Sequence, residues 1–134
     1  MIVVDTNVIA YLMIEGEKTE IAQQTFRQDS DWVMPVLWRH EFLNVLATFV
    51  RHGGAEINEA IDIWQKSERL FTSGERDIDM PHALRLACQY NISAYDAQFV
   101  ALAMELSVPY VTGDQQILKV FPSIALSMQE FHKG

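Results

Sequence analysis

A single cysteine, Cys88, stands in the 134 residues of this chain. One thiol excludes a disulfide framework and any zinc cluster built from several thiolates. It falls in Leu86-Ala87-Cys88, which reads as helix core. A chain without disulfides is expected in the cytoplasm. No apolar run approaches the ~18 residues of a membrane span. Nor does the N-terminus carry the basic stretch and long apolar stretch of a secretory signal. A membrane partner is therefore not expected. Repeats, low-complexity runs and linkers are also missing, so one domain over residues 1–134 is expected. Bases are scarce: ten Lys and Arg face 18 Asp and Glu, a formal net charge of −8. This is not the broad basic footprint of most nucleic-acid binders. It suits acids that converge on a cation site, or a basic protein partner.

What is present begins with Ile2-Val3-Val4. Three consecutive β-branched residues suit a strand buried on both faces, as in a parallel sheet. Asp5 follows at once, and residues 8–13 read as a helix that Thr6 and Asn7 can cap. Ligands in open α/β sheets bind at the carboxyl ends of strands. Asp5 is thus a candidate site residue, or simply a helix cap. Further helices are expected over residues 19–28, 37–51, 57–70, from Asp79-Met80-Pro81 onward, over 97–104, and over 115–120. Gly53-Gly54 marks a helix stop. Strands are expected at residues 32–34, ended by Pro35, at a weak edge near 76–78, at 108–112 and at 124–126. Strands alternating with helices argue for an α/β fold with a mostly parallel sheet.

Four acids stand out. Asp5 and Asp114 each follow an apolar strand and belong at the same edge of a parallel sheet. Glu41 lies in the long helix, roughly 60° from Trp38 at about 100° per residue, at the border of the apolar stripe Trp38, Phe42, Val45, Leu46, Phe49. It could equally reach solvent. Asp96 closes Ser93-Ala94-Tyr95-Asp96, a capping-box pattern that needs no function, although a boxed acid can still face a site. The remaining acids stud solvent faces or turns. Asp5, Glu41, Asp96 and Asp114 can converge at the carboxyl edge of the sheet. Such carboxylates cannot all stay ionised unaided. An all-oxygen site suits Mg²⁺ or Mn²⁺, whose usual chemistry is at phosphoryl oxygens.

The pieces Val3-Val4-Asp5-Thr6-Asn7, Trp38-Arg39-His40-Glu41, Ser93-Ala94-Tyr95-Asp96-Ala97 and Val111-Thr112-Gly113-Asp114, in this order, resemble the PIN-domain ribonucleases. The likeness is specifically to the VapC-type toxins of prokaryotic toxin–antitoxin systems. The resemblance implies a three-layer α/β/α fold, with a parallel sheet of about five strands flanked by helices. It implies that Asp5, Glu41, Asp96 and Asp114 are catalytic and bind metal, with Asn7 and Thr112 in support. It further implies a homodimer, a VapB-type antitoxin partner, and RNA hydrolysis leaving 5′-phosphate and 3′-hydroxyl ends. The sequence departs from the pattern where Gln115-Gln116 follows Asp114, with neither a further acid nor a base.

Arg39 and His40, with Arg51 and His52, could touch RNA phosphate or form a solvated helix face. His82 and His132 read as surface residues. A response-regulator receiver would need a lysine just after a late strand, and Lys119 comes too far into the helix after Asp114. An RNA-processing nuclease without an antitoxin shares the same acids. A non-catalytic binding module would have no need of all four.

Overall fold

Ile2, Val3 and Val4 form strand β1 (Ile2–Val4), and all three are buried. β-branched side chains fit a pleated surface that is covered on both sides. The computed structural model describes residues 1–134 and places this strand at the centre of a five-stranded sheet. Its companions are β2 (Trp32–Pro35), β3 (Glu75–Arg76), β4 (Tyr110–Val111) and β5 (Ala125–Leu126), in the order β3-β2-β1-β4-β5. Every pairing is parallel. All strands therefore deliver their carboxyl ends to one edge. The register sets Val4 opposite Val111, so the residues that follow, Asp5 and Thr112, emerge side by side.

Eight helices cover the sheet: α1 (Thr6–Met13), α2 (Thr19–Gln28), α3 (Trp38–His52), α4 (Ile57–Phe71), α5 (Met80–Tyr90), α6 (Ala94–Leu106), α7 (Gln115–Val120) and α8 (Met128–Lys133). The result is the three-layer α/β/α arrangement. Helix α6 lies across β1, β2 and β4, with α5 packed against it. It buries Ala97 and every residue from Phe99 to Ala103, as a segment apolar nearly all round must. Helix α1 packs on α2 and α3, and α3 on α4.

Several local expectations are corrected. Asp5 caps α1, as one of its two readings had it, while Thr6 and Asn7 do not. Pro35 is the last residue of β2 and not its terminator, since its missing N–H falls at the strand end. Helix α6 starts at Ala94, three residues before its all-apolar part. Strand β3 covers Glu75–Arg76 rather than 76–78, and β4 only Tyr110–Val111 of the expected 108–112. Cys88 is exposed. Helix α5 buries Ala83 and Leu86, and Cys88, two residues beyond Leu86, falls about 200° round the axis. Helix α8 was not foreseen. It opens on a full capping box of Ser127 and Glu130.

One contact network fixes α3. The 3₁₀ turn Thr72–Gly74 passes β2 so closely that a Cβ on Gly74 would stand 2.2 Å from the Trp32 carbonyl oxygen. Only glycine permits this approach. Glu75, next in the chain, then accepts hydrogen bonds from Trp38 Nε1 at 2.8 Å and Arg39 Nε at 2.5 Å. Arg39 Nη1 also donates to Glu68 at 2.6 Å. The guanidinium thus ties the first turn of α3 to the end of α4 and to the edge strand.

Candidate active site

Asp5 leaves β1 at the carboxyl edge of the sheet and serves two ends at once. Its Oδ1 accepts from the Asn7 N–H at 3.0 Å, which caps α1. Its Oδ2 accepts from Thr112 Oγ1 at 2.7 Å. Thr112 follows β4, is fully buried, and accepts in turn from the Asp114 N–H at 3.1 Å. Asp114 caps α7 by accepting from the Ile117 N–H at 3.1 Å. Glu41 stands in the first turn of α3, and its Oε1 accepts from the buried Thr6 Oγ1 at 2.7 Å. Two threonine hydroxyls therefore orient two of the four acids, each spending its single O–H donor on one carboxylate.

Asp96 sits in the first turn of α6 and donates its backbone N–H to Ser93 Oγ at 3.0 Å. The reciprocal bond of a capping box, from the Ser93 N–H to the Asp96 carboxylate, is not made. The contrast is Ser127 and Glu130 in α8, where both halves form at 3.1 Å. The pattern in the sequence is the same, but only the second box closes. The Asp96 carboxylate is turned to the pocket instead.

That pocket, about 280 Å³ in volume, is lined by Asp5, Thr6, Asn7, Glu41, Asn44, Asp96 and Asp114, with Val45 its one apolar residue. The four acids expected at a site thus share one cavity. Asn7 lines it, and Thr112 stands behind Asp5. No lysine, arginine or histidine offers compensating charge there. Burial pushes the Asp5 carboxyl up, the bonds from Thr112 and Asn7 pull it back, and the charge on Asp114 adds to the rise. Burial also raises Glu41, opposed by the Thr6 hydroxyl and assisted by Asp5 and Asp96. Asp96 is raised by burial and then by the charges of Asp114 and Asp5. No three acids stand close enough to grip an ion as they are. The donor set fits a hard divalent cation: it is all oxygen, excess in negative charge, and free of competing bases.

Arg39 and His40 do not line this pocket. Arg39 is committed to Glu68, Glu75 and the Thr72 hydroxyl. The bonds to Glu75 and Glu68 hold its guanidinium firmly charged. His40 is exposed and lines a separate depression with Arg76, Asp77 and Gln98. Two lining residues were not picked out as site residues. Thr6 was read only as a cap, and Asn44 was passed over. The signal for Asn44 is its position three residues after Glu41, on the same face of α3.

A family model described as PIN domain matches residues 2–121. Ribonuclease VapC3 of Pyrobaculum aerophilum is 28% identical over 127 residues, covering 92% of this chain and 96% of that protein. The crystal structure of a Pyrobaculum aerophilum protein superposes with a TM-score of 0.75 at 18% identity, over 98% of this chain and 93% of that one. At that identity the likeness concerns the fold alone.

Proposed function

The chain belongs to the PIN domain family, and from that premise we propose that it is a metal-dependent endoribonuclease, the toxin of a toxin–antitoxin pair. The observation that carries this reading is the single pocket that four carboxylates line without any base. Asp5, Glu41, Asp96 and Asp114 would hold Mg²⁺ or Mn²⁺, which supplies Lewis-acid activation of water and neutralises charge on the leaving oxygen. The chain's own residues do the rest. Thr112 and the Asn7 N–H fix both oxygens of Asp5. Thr6 fixes one oxygen of Glu41, leaving Oε2 to take the proton of the attacking water as general base. The side-chain amides of Asn7 and Asn44 supply N–H donors for phosphate oxygens. Water adds to phosphorus in line, the bond to the 3′ oxygen breaks, and that oxygen is protonated. The products carry 5′-phosphate and 3′-hydroxyl ends.

An unpaired acid pocket on a chain of net charge −8 calls for a cationic inhibitor. We assign this role to a VapB-type antitoxin that inserts an Arg or Lys between the carboxylates. The working form is a cytoplasmic homodimer. No helix is long and apolar enough to cross a membrane. Two measurements test the reading. Protein stripped by EDTA should fail to cut single-stranded RNA and recover on addition of Mg²⁺ or Mn²⁺; undiminished cleavage after stripping overturns the mechanism. Expression of the chain alone should arrest growth, and co-expression with its antitoxin should relieve the arrest. Normal growth with abundant intact protein would refute the toxin assignment.

A further inference from the structure

Beside the acid pocket lies a second and larger cavity of about 610 Å³, and the two share Asn7 and Val45 as common walls. We propose that this cavity is a nucleobase-binding subsite, which holds a base of single-stranded RNA next to the scissile phosphate. The proposal rests on the reading of the acid pocket as an RNA-cleaving centre and adds to it where the substrate runs and what grips it.

Three observations carry it. The first is continuity: a strand whose phosphate sits among the acids has its neighbouring nucleotide within one residue's width of this cavity, across Asn7 and Val45. The second is the lining. Tyr11 and Phe49 bring aromatic rings, the groups on which unpaired bases stack regardless of sequence. Both rings are only partly buried, and Lys18 Nζ lies 4.8 Å over the Tyr11 ring centroid. That ring face is covered by an exposed side chain that a ligand can displace. The third is a single exposed cation: Lys18 is the one Lys or Arg lining either cavity, beside His52, and because Glu15 and Glu17 share that lining, stacking rather than net charge must supply most of the grip. An exposed lysine over the aromatic face can swing to the phosphate of an incoming nucleotide while the base takes its place on the ring. The volume suits a nucleotide-sized ligand. A protein with so few bases, and with Arg39 committed elsewhere, can thus hold RNA largely by stacking.

The test separates binding from cleavage. The probe is a short single-stranded RNA carrying one 2-aminopurine, whose fluorescence is quenched on stacking. It is titrated in Mg²⁺ into the Asp96→Asn protein, which does not consume it. Quenching is expected, with Tyr11→Ala in that background weakening affinity about 5–100-fold. Tyr11→Phe should restore it, and Lys18→Gln should weaken it and flatten the salt dependence. In the otherwise wild-type protein, Tyr11→Ala should raise KM with little change in kcat. If Tyr11→Ala, Phe49→Ala and Lys18→Gln all bind and quench like the parent while wild-type protein cleaves RNA, the subsite is refuted and the nuclease reading stands. If the probe binds and quenches but wild-type protein never cleaves, the nuclease reading fails and the subsite stands. If these variants lose the antitoxin and leave RNA affinity unmoved, the cavity is a protein-docking groove and the proposal is overturned.

Discussion

Replacing Asp96 by Asn should raise the stability of the metal-free protein while removing its activity. In the first turn of α6, Asp96 supplies a backbone N–H to Ser93 Oγ at 3.0 Å, and Asn keeps that bond. The carboxylate closes no capping box, so the substitution breaks no reciprocal bond. It forfeits a favourable charge near a helix N-terminus, worth about 0.3–1 kcal/mol. Against this, it removes a half-buried charge that is pressed by Asp114 and Asp5. At an effective dielectric between those of protein and water, each such repulsion is worth about 0.5–1.5 kcal/mol. The balance is a gain of about 0.5–2 kcal/mol, or a Tm rise of roughly 2–8 °C for a domain of this size. RNA cleavage in Mg²⁺ should fall at least about a hundredfold, the scale seen when one preorganised charge-stabilising group is lost. Thermal melts in EDTA, paired with cleavage assays, check both halves. Glu130→Ala is the control: it opens a box that does close, and should cost about 0.5–1 kcal/mol. A lower Tm with full activity would refute the reasoning and return Asp96 to a purely capping role.

Three further outcomes are expected. Thr112→Val removes the hydroxyl that pulls the Asp5 carboxyl down, so the acidic limb of the cleavage pH profile should move to higher pH; an unmoved limb would detach Thr112 from the site. Asp5, Glu41 and Asp96 are all raised in the fold. The native state therefore binds protons that the unfolded chain releases, and metal-free stability falls as pH rises from the unfolded carboxylate range through these raised values. Divalent metal should accordingly raise Tm more at pH 7 than at pH 5, and an equal or reversed effect would count against a metal-binding acid cluster. Arg39→Met should cost about 1–3 kcal/mol by leaving Glu75 charged and poorly paired beside Trp38. Burial alone would raise Glu75, but the bonds from Arg39 and Trp38 outweigh it and hold it low. Its stabilisation therefore persists at neutral pH and is lost only as pH drops through that lowered value. RNA affinity of the Arg39→Met protein, measured with its fold intact, should match wild type; a large loss would reinstate Arg39 as a phosphate contact.

The sheet was legible because β1 and β2 are written in consecutive apolar residues, Asp5 because it directly follows β1, and Asp114 because it stands just past β4, after Thr112 and Gly113. Glu41 could be placed only at the border of a stripe. Its inward turn depends on the Thr6 hydroxyl, thirty-five residues away in sequence, and no local pattern reports that. Ser93-Ala94-Tyr95-Asp96 and Ser127-Met128-Gln129-Glu130 share one motif and differ in outcome: the longer glutamate reaches back to the cap and the shorter aspartate does not. Arg39 looked available because its partners, Glu68 and Glu75, lie on elements that meet α3 only in the folded chain. Cys88 was misplaced because Leu86 and Ala87 make its neighbourhood apolar, while the helix turns the thiol outward.

The strand order has a consequence in time. β1 is made first, yet one of its two neighbours, β4, comes more than a hundred residues later. A chain synthesised only as far as the end of α6 holds Asp5, Glu41 and Asp96 but neither Asp114 nor the hydroxyl that orients Asp5. Pairing across so long a separation must wait until most of the chain exists, so the four acids can share one edge only after β4 has been made. A nascent chain thus lacks the complete acid pocket until β4 stands beside β1.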